Sequence, residues 1–231
     1  MRQEGSLART HEGEPGLPRG RARLPEADVR AAQRDRIIRA IIGSVAKNGY
    51  AGATIADVVR RAKVSRAAFY VHFSDREDCF LAACQAGGRL MVGHIVEATK
   101  ALAVDASPEQ AIRVACRALL DFIVTEPEFA RVFYVEMAGA GQRAVDRIDA
   151  SRRRFAQMNR IWHQRAMATD PTVPPVPEDA YAAAVGATTE LVRAAVHGGR
   201  FDRIREMEDS LVALHLALLG GKPWGPAANA T

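Results

Sequence analysis

The sequence predicts an all-α protein: a small N-terminal three-helix helix-turn-helix domain followed by a larger helical domain. Apolar residues recur at helical spacing along most of the chain, capping boxes punctuate it, and neither an alternating strand pattern nor a repeat occurs. Residues 1–28 mix Gly, Pro and Arg without periodicity and are expected to form a flexible basic arm. The expected domains are this arm, a helix-turn-helix domain at 29–75 and a second helical domain at 76–231.

Each element has its own signal. Ile37, Ile38, Ile41, Ile42 and Val45 form a one-sided stripe, and Gly49 is a stop for that first helix. Thr54 with Asp57 reads as a capping-box-like start for a short second helix, and Ser65 as the N-cap of a short third one after the turn "AKVS". Ser74 with Glu77 is expected to cap a long fourth helix, which Gly87, Gly88 and Gly93 allow to bend or to be crossed closely. Ser107 with Gln110 starts the next helix, and Glu126 with Pro127 another that ends near Gly139 and Gly141. A long arginine-rich helix is expected from Gln142 to Ala168, then a proline-rich loop and two apolar helices, "EDAYAAAVGATTELVRAAVHGG" and "DRIREMEDSLVALHLALLGG".

Charged residues make up 26% and hydrophobic residues 48%, the balance of a globular protein. Cys79, Cys84 and Cys116 show no C-x-x-C spacing, so reduced thiols are expected rather than disulfides or a zinc site. No apolar run approaches the roughly 18–20 residues of a membrane span, and residues 1–30 lack a signal-peptide core. The expected location is cytoplasmic. The net charge of +5 is concentrated: residues 31–76 hold nine Lys and Arg against three Asp. That segment is the candidate for contact with a polyanion, against the plainer alternative of a solvated basic face.

Within it lies "VSRAAFYVHF", residues 64–73. The second helix of a helix-turn-helix enters the major groove N-terminus first, so Ser65, Arg66, Ala67 and Ala68 are positioned to meet base edges. Arg66 can grip a guanine bidentately, and the alanines allow close backbone approach. Phe69 and Phe73, four residues apart, are expected to point inward, with Tyr70 and His72 outward toward phosphates.

The stretch from Arg36 to Ala83, with "NGY", "TIADVV", "VS" and "FYVHF" followed by Asp75, Arg76 and Glu77, resembles the N-terminal domain of the TetR family of bacterial transcriptional regulators. The resemblance implies phosphate contacts at Thr54, Tyr70, His72 and Arg76 and base reading over residues 65–68. Lys63 stands where the family usually has Gly. A left-handed conformation there would cost on the order of 1 kcal/mol, which a cation near phosphate can offset. The resemblance also implies a homodimeric regulator, most simply a repressor released from a palindromic double-stranded DNA operator by an apolar or amphipathic small-molecule effector. Such a protein would be nucleoid-associated when bound.

The expected dimer seam is Val185, Val192 and Val196 with Leu211, Leu214 and Leu218, unless these close the monomer's own core. Pocket candidates are His94, Cys116, Phe122, Phe133, Met137, Trp162 and Glu190, each of which could equally be ordinary core. No metal site, cofactor or catalytic motif is found, and no enzyme is expected. The competing class is an effector-independent architectural or partner-regulated DNA-binding protein.

Overall fold

The computed structural model describes residues 6–9, 25–103 and 106–220, and among them no strand occurs. The helices are α1 (Glu26–Gly52), α2 (Ile55–Ala62), α3 (Arg66–His72), α4 (Arg76–Lys100), α5 (Pro108–Thr125), α6 (Pro127–Arg131), α7 (Gln142–Thr169), α8 (Glu178–His197) and α9 (Glu208–Leu219). The all-α class therefore holds.

Most boundaries follow from local chemistry. The stripe of α1 is buried from Ile37 to Val45, and Gly49, at φ 73°, breaks the regular helix where the stop was expected. Ser107 and Gln110 cap α5 reciprocally, with the Gln110 N–H donating to Ser107 Oγ at 3.2 Å and the Ser107 N–H to Gln110 Oε1 at 2.9 Å. Three expectations need correction. Asp75, not Ser74, caps α4: the Asp78 N–H donates to Asp75 Oδ1 at 2.7 Å, and Asp78 reaches back to the Ser74 N–H at 3.1 Å. Glu77 is left to pair with Arg143. The helix after Pro127 is α-helical only to Arg131, then passes through a π-turn (Val132–Glu136) and a 3-10 turn (Met137–Gly139). The last apolar helix is likewise two elements, a 3-10 segment (Phe201–Met207) and α9. An Arg203–Glu206 pair suits the three-residue repeat of that segment, where i and i+3 eclipse.

The chain divides into two compact units, Met1–Val92 with Ile123–Arg147, and Gly93–Phe122 with Ile148–Thr231. The first unit is larger than the helix-turn-helix domain expected at 29–75, because the start of α4 and residues 123–147 pack with it. The tightest crossing is at Gly87, where a Cβ would lie 2.1 Å from the Phe129 ring. The close approach read from the glycines is thus made at Gly87, while Gly93 has nothing within 4 Å. Residues 6–9, expected to belong to a flexible arm, dock on this unit. Ser6 N–H and Oγ donate to Glu126 Oε1 at 3.1 and 2.5 Å, Leu7 N–H to Oε2 at 2.8 Å, and Arg39 holds the Ser6 carbonyl. The signal was invisible in sequence because the partner is 120 residues away. The arginines at 19, 21 and 23 lie outside the described residues.

In the second unit Tyr181, Ala184 and Leu219 form a buried cluster with Ala156, Val176, Ala180 and Leu218 against it. Tyr181 OH and His163 Nδ1 lie 2.9 Å apart. Val192, Val196 and Leu211 are fully buried here, and Val185 nearly so. These four are buried within the unit and have little surface to offer a second copy. Leu214 and Leu218 keep part of theirs, and Leu191 is exposed.

The hydropathy expectation also changes for α4, which among the described residues is long and apolar enough to cross a membrane by length and composition. Its Cys79, Phe80, Leu81, Ala83, Cys84, Met91 and Ile95 are buried in the protein, which accounts for that hydropathy. All three cysteines are free and buried. Burial pushes each thiol up, Cys116 to about 12, so all are poor nucleophiles.

Gly87→Ala should destabilise the first unit by about 1–3 kcal/mol, because the buried Phe129 ring would have to shift to admit the methyl; thermal unfolding reads this directly. His215 supplies a pH test. It is buried, its Nδ1–H donates to the Leu211 carbonyl at 2.8 Å, and burial holds its pKa below the ordinary 6.5. The folded state therefore refuses a proton that the unfolded chain accepts. The neutral form's advantage is intact above about pH 6.5, and stability falls as pH drops below it. In His215→Gln that part of the slope should vanish from denaturant titrations between about pH 7 and 5.

Candidate nucleic-acid interface

The interface begins with how α2 is held. Thr54 Oγ accepts the Asp57 N–H at 3.1 Å, as its N-cap position requires. The Asp57 carboxylate then accepts from the buried Ser44 hydroxyl of α1 at 2.6 Å and from Arg61 Nε at 2.7 Å, with Arg60 as a third donor. Burial raises its pKa, but the bonds from Ser44, Arg61 and Arg60 outweigh that and hold the carboxyl below its usual range. This locks α2 onto α1.

The turn follows at Lys63, which adopts φ 55°, ψ 41°, a left-handed residue without glycine. Its N–H and that of Val64 bond back to the carbonyls of Arg60 and Val59 at 3.3 and 3.2 Å, satisfying the end of α2. Ser65 then caps α3, its Oγ accepting the Ala68 N–H at 3.0 Å. Phe69 and Phe73 are buried, as their spacing implied, with ring centroids 5.8 Å apart.

The opposite face of α3 is open. Ser65, Arg66 and Ala67 are exposed and Ala68 is half-buried. Tyr70 is 47% exposed, with the Arg66 guanidinium carbon 5.9 Å from its ring centroid. Val71 is 67% exposed. It was absent from the sequence-derived set, although its position four residues after Ala67 puts it on the same helical face. An apolar side chain this bare on a basic surface is suited to a thymine methyl.

The phosphate candidates separate. Thr54 and Lys63 are exposed. His72 is half-buried, its Nε2 3.3 Å from Gln33 Oε1, and burial followed by Arg34 and Arg30 lowers its pKa, so the neutral ring is favoured. Arg76 turns inward. Its Nη1 donates to the carbonyls of Tyr50, Ala51 and Ala53 at 3.0, 3.4 and 2.6 Å, and its guanidinium lies 4.4 Å from the Tyr50 ring centroid. It holds the corner between α1 and α2 instead of facing outward.

The pocket candidates divide between the two units. His94 and Phe122 meet at 6.0 Å between ring centroids, with Cys116 and Trp162 in the same unit. Phe133 and Met137 belong to the first unit, in its π- and 3-10 turns. Glu190 is exposed and paired with Arg193 at 2.8 and 2.6 Å, a surface position. No cluster of His, Cys, Asp and Glu among the described residues is arranged to hold a metal.

Residues 37–83 match the model for bacterial regulatory proteins of the tetR family, over the segment that builds α1 to α4 around this interface. That segment is similar to the N-terminal domain of the family. A curated relative, the uncharacterised HTH-type transcriptional regulator YerO of Bacillus subtilis (strain 168), is 38% identical over 53 residues. That match spans 23% of this chain and only 18% of YerO. Solved structures extend the likeness to the whole fold. A TetR-like transcriptional regulator from Rhodococcus sp. RHA1 superposes with a TM-score of 0.61 at 23% identity, over 84% of this chain and 99% of that one. The regulator FadR from Bacillus subtilis, solved with stearoyl-CoA, gives 0.69 at 14% identity, over 80% and 97%. FadR from Bacillus halodurans gives 0.70 at 17% identity, over 81% and 98%.

Lys63→Gly should stabilise this domain by about 1 kcal/mol, since only the L side chain is penalised in the left-handed region. An unchanged or lower melting temperature would show that the lysine side chain compensates by contacts of its own.

Proposed function

We propose that this chain is a dimeric, sequence-specific DNA-binding transcriptional regulator that an apolar or amphipathic small molecule releases from its operator. The observation that supports this best is the open face of α3, where Ser65, Arg66, Ala67, Tyr70 and Val71 stand clear on a helix fixed from behind by Phe69 and Phe73. Base reading falls to Arg66 and its small neighbours, with Val71 added. Thr54, Lys63 and Tyr70 take phosphates, and His72 contributes as a neutral donor. The dimer is drawn on the surface α8 and α9 leave uncovered, Leu191, Leu214 and Leu218, rather than on the valines already inside the unit. No enzymatic chemistry is implied.

Selection from a random duplex library should enrich a palindrome whose half-sites lie about 34–36 Å apart or a multiple of that. Binding to it should weaken by orders of magnitude between about 50 and 200 mM salt. Arg66→Ala should flatten the preference at one base by about 1–3 kcal/mol, while Tyr70→Phe lowers affinity for every sequence alike. A library that enriches nothing contradicts the reading.

For the effector, the likeness to FadR with bound stearoyl-CoA makes stearoyl-CoA the first probe. Its affinity, titrated with and without the selected duplex, should differ by about 5- to 150-fold, and the duplex should lose affinity by the same factor when the ligand is present. Binding with no such difference would favour an effector-independent DNA-binding protein.

A further inference from the structure

The corner between α1 and α2 is held from two sides by groups that are remote in sequence. From α4, Arg76 spends its Nη1 on the carbonyls of Tyr50, Ala51 and Ala53 and stacks on the Tyr50 ring, which packs on Phe80 with centroids 4.7 Å apart. From the π-turn, Glu136 Oε2 accepts the Tyr50 N–H at 3.0 Å, while its Oε1 faces Arg131 at 3.4 Å. Gly49 at φ 73° takes Tyr50 out of the helical hydrogen-bond ladder, so that amide needs an outside acceptor. Thr54, the N-cap of α2, follows four residues later.

We infer that Glu136 is a positioning residue for the reading motif, and that it reaches Tyr50 only because residues 132–136 are wound as a π-turn. This rests on the DNA-binding reading above. A π-turn holds one residue more per turn than an α-helix. Rewinding it to α would rotate Glu136 by about 100° around the axis and withdraw its carboxylate from Tyr50. The same segment is anchored on α4, with Tyr134 OH 3.8 Å from Met91 Sδ and Phe133 beside Gly88. The register of one short turn thus sets the seat of α2, and α2 sets α3.

Glu136→Ala removes the acceptor, Glu136→Gln keeps it without charge, and Glu136→Met keeps the length without an acceptor. Amide exchange at Tyr50 reads the contact without DNA. E136A and E136M should each speed exchange at least tenfold at that amide, and E136Q should leave it within threefold. Duplex selection then reads positioning: E136A should accept half-site spacers one base pair longer or shorter that the unmodified protein rejects, and E136Q should restore the single spacer. E136M takes the place of E136A in both arms if E136A does not fold. A lower melting temperature with an unchanged spacer preference would make Glu136 merely structural and overturn the inference. Unchanged exchange at Tyr50 would overturn the contact itself. If the unmodified protein selects no duplex, the DNA-binding reading fails, while the exchange arm still decides the contact.

Discussion

A single buried hydroxyl does much to place α3. Ser44 of α1 donates to Asp57 of α2, and the same carboxylate collects Arg60 and Arg61. A carboxylate with three donors is a strong fixed point, stronger than the neutral bonds around it. Given that point, α2 cannot slide on α1, the left-handed turn at Lys63 has a fixed origin, and Ser65 starts α3 where Phe69 and Phe73 can be buried. The open face is then a consequence: the residues that remain outside are those the two phenylalanines do not take inward.

What was legible in the sequence is what local chemistry decides. The caps at Thr54, Ser65 and Ser107 each need only a partner three residues away, whereas the left-handed strain at Lys63 was implied by the family resemblance, which puts Gly at that position. The missed cap of α4 lies within the same reach, because Asp75 and Ser74 compete for one role and the acid wins with Asp78 as its counterpart. The two halves of the last apolar stretch were harder to see, since α-helical and 3-10 windings share most of their side-chain pattern.

The rest was not legible because its partners are distant in sequence. Arg76 looked like a phosphate ligand by motif, but three carbonyls at the end of α1 claim it. Val192, Val196 and Leu211 looked too apolar for one small bundle, yet the unit buries them unaided. The docking of Ser6 and Leu7 on Glu126 and the winding of residues 132–136 carry no signature in periodicity or charge. Val71 is the opposite case: helical spacing put it on the exposed face, and its apolar character concealed its value.

The central claim is that this chain reads DNA with the open face of α3, seated by α1 and α2. Amide hydrogen exchange of the protein with and without its selected duplex tests it most directly. Protection should rise in residues 54–72 and stay level at the buried Ala184, Val185 and Val192 of α8. A footprint that left residues 65–71 unprotected and fell elsewhere on the chain would contradict the account.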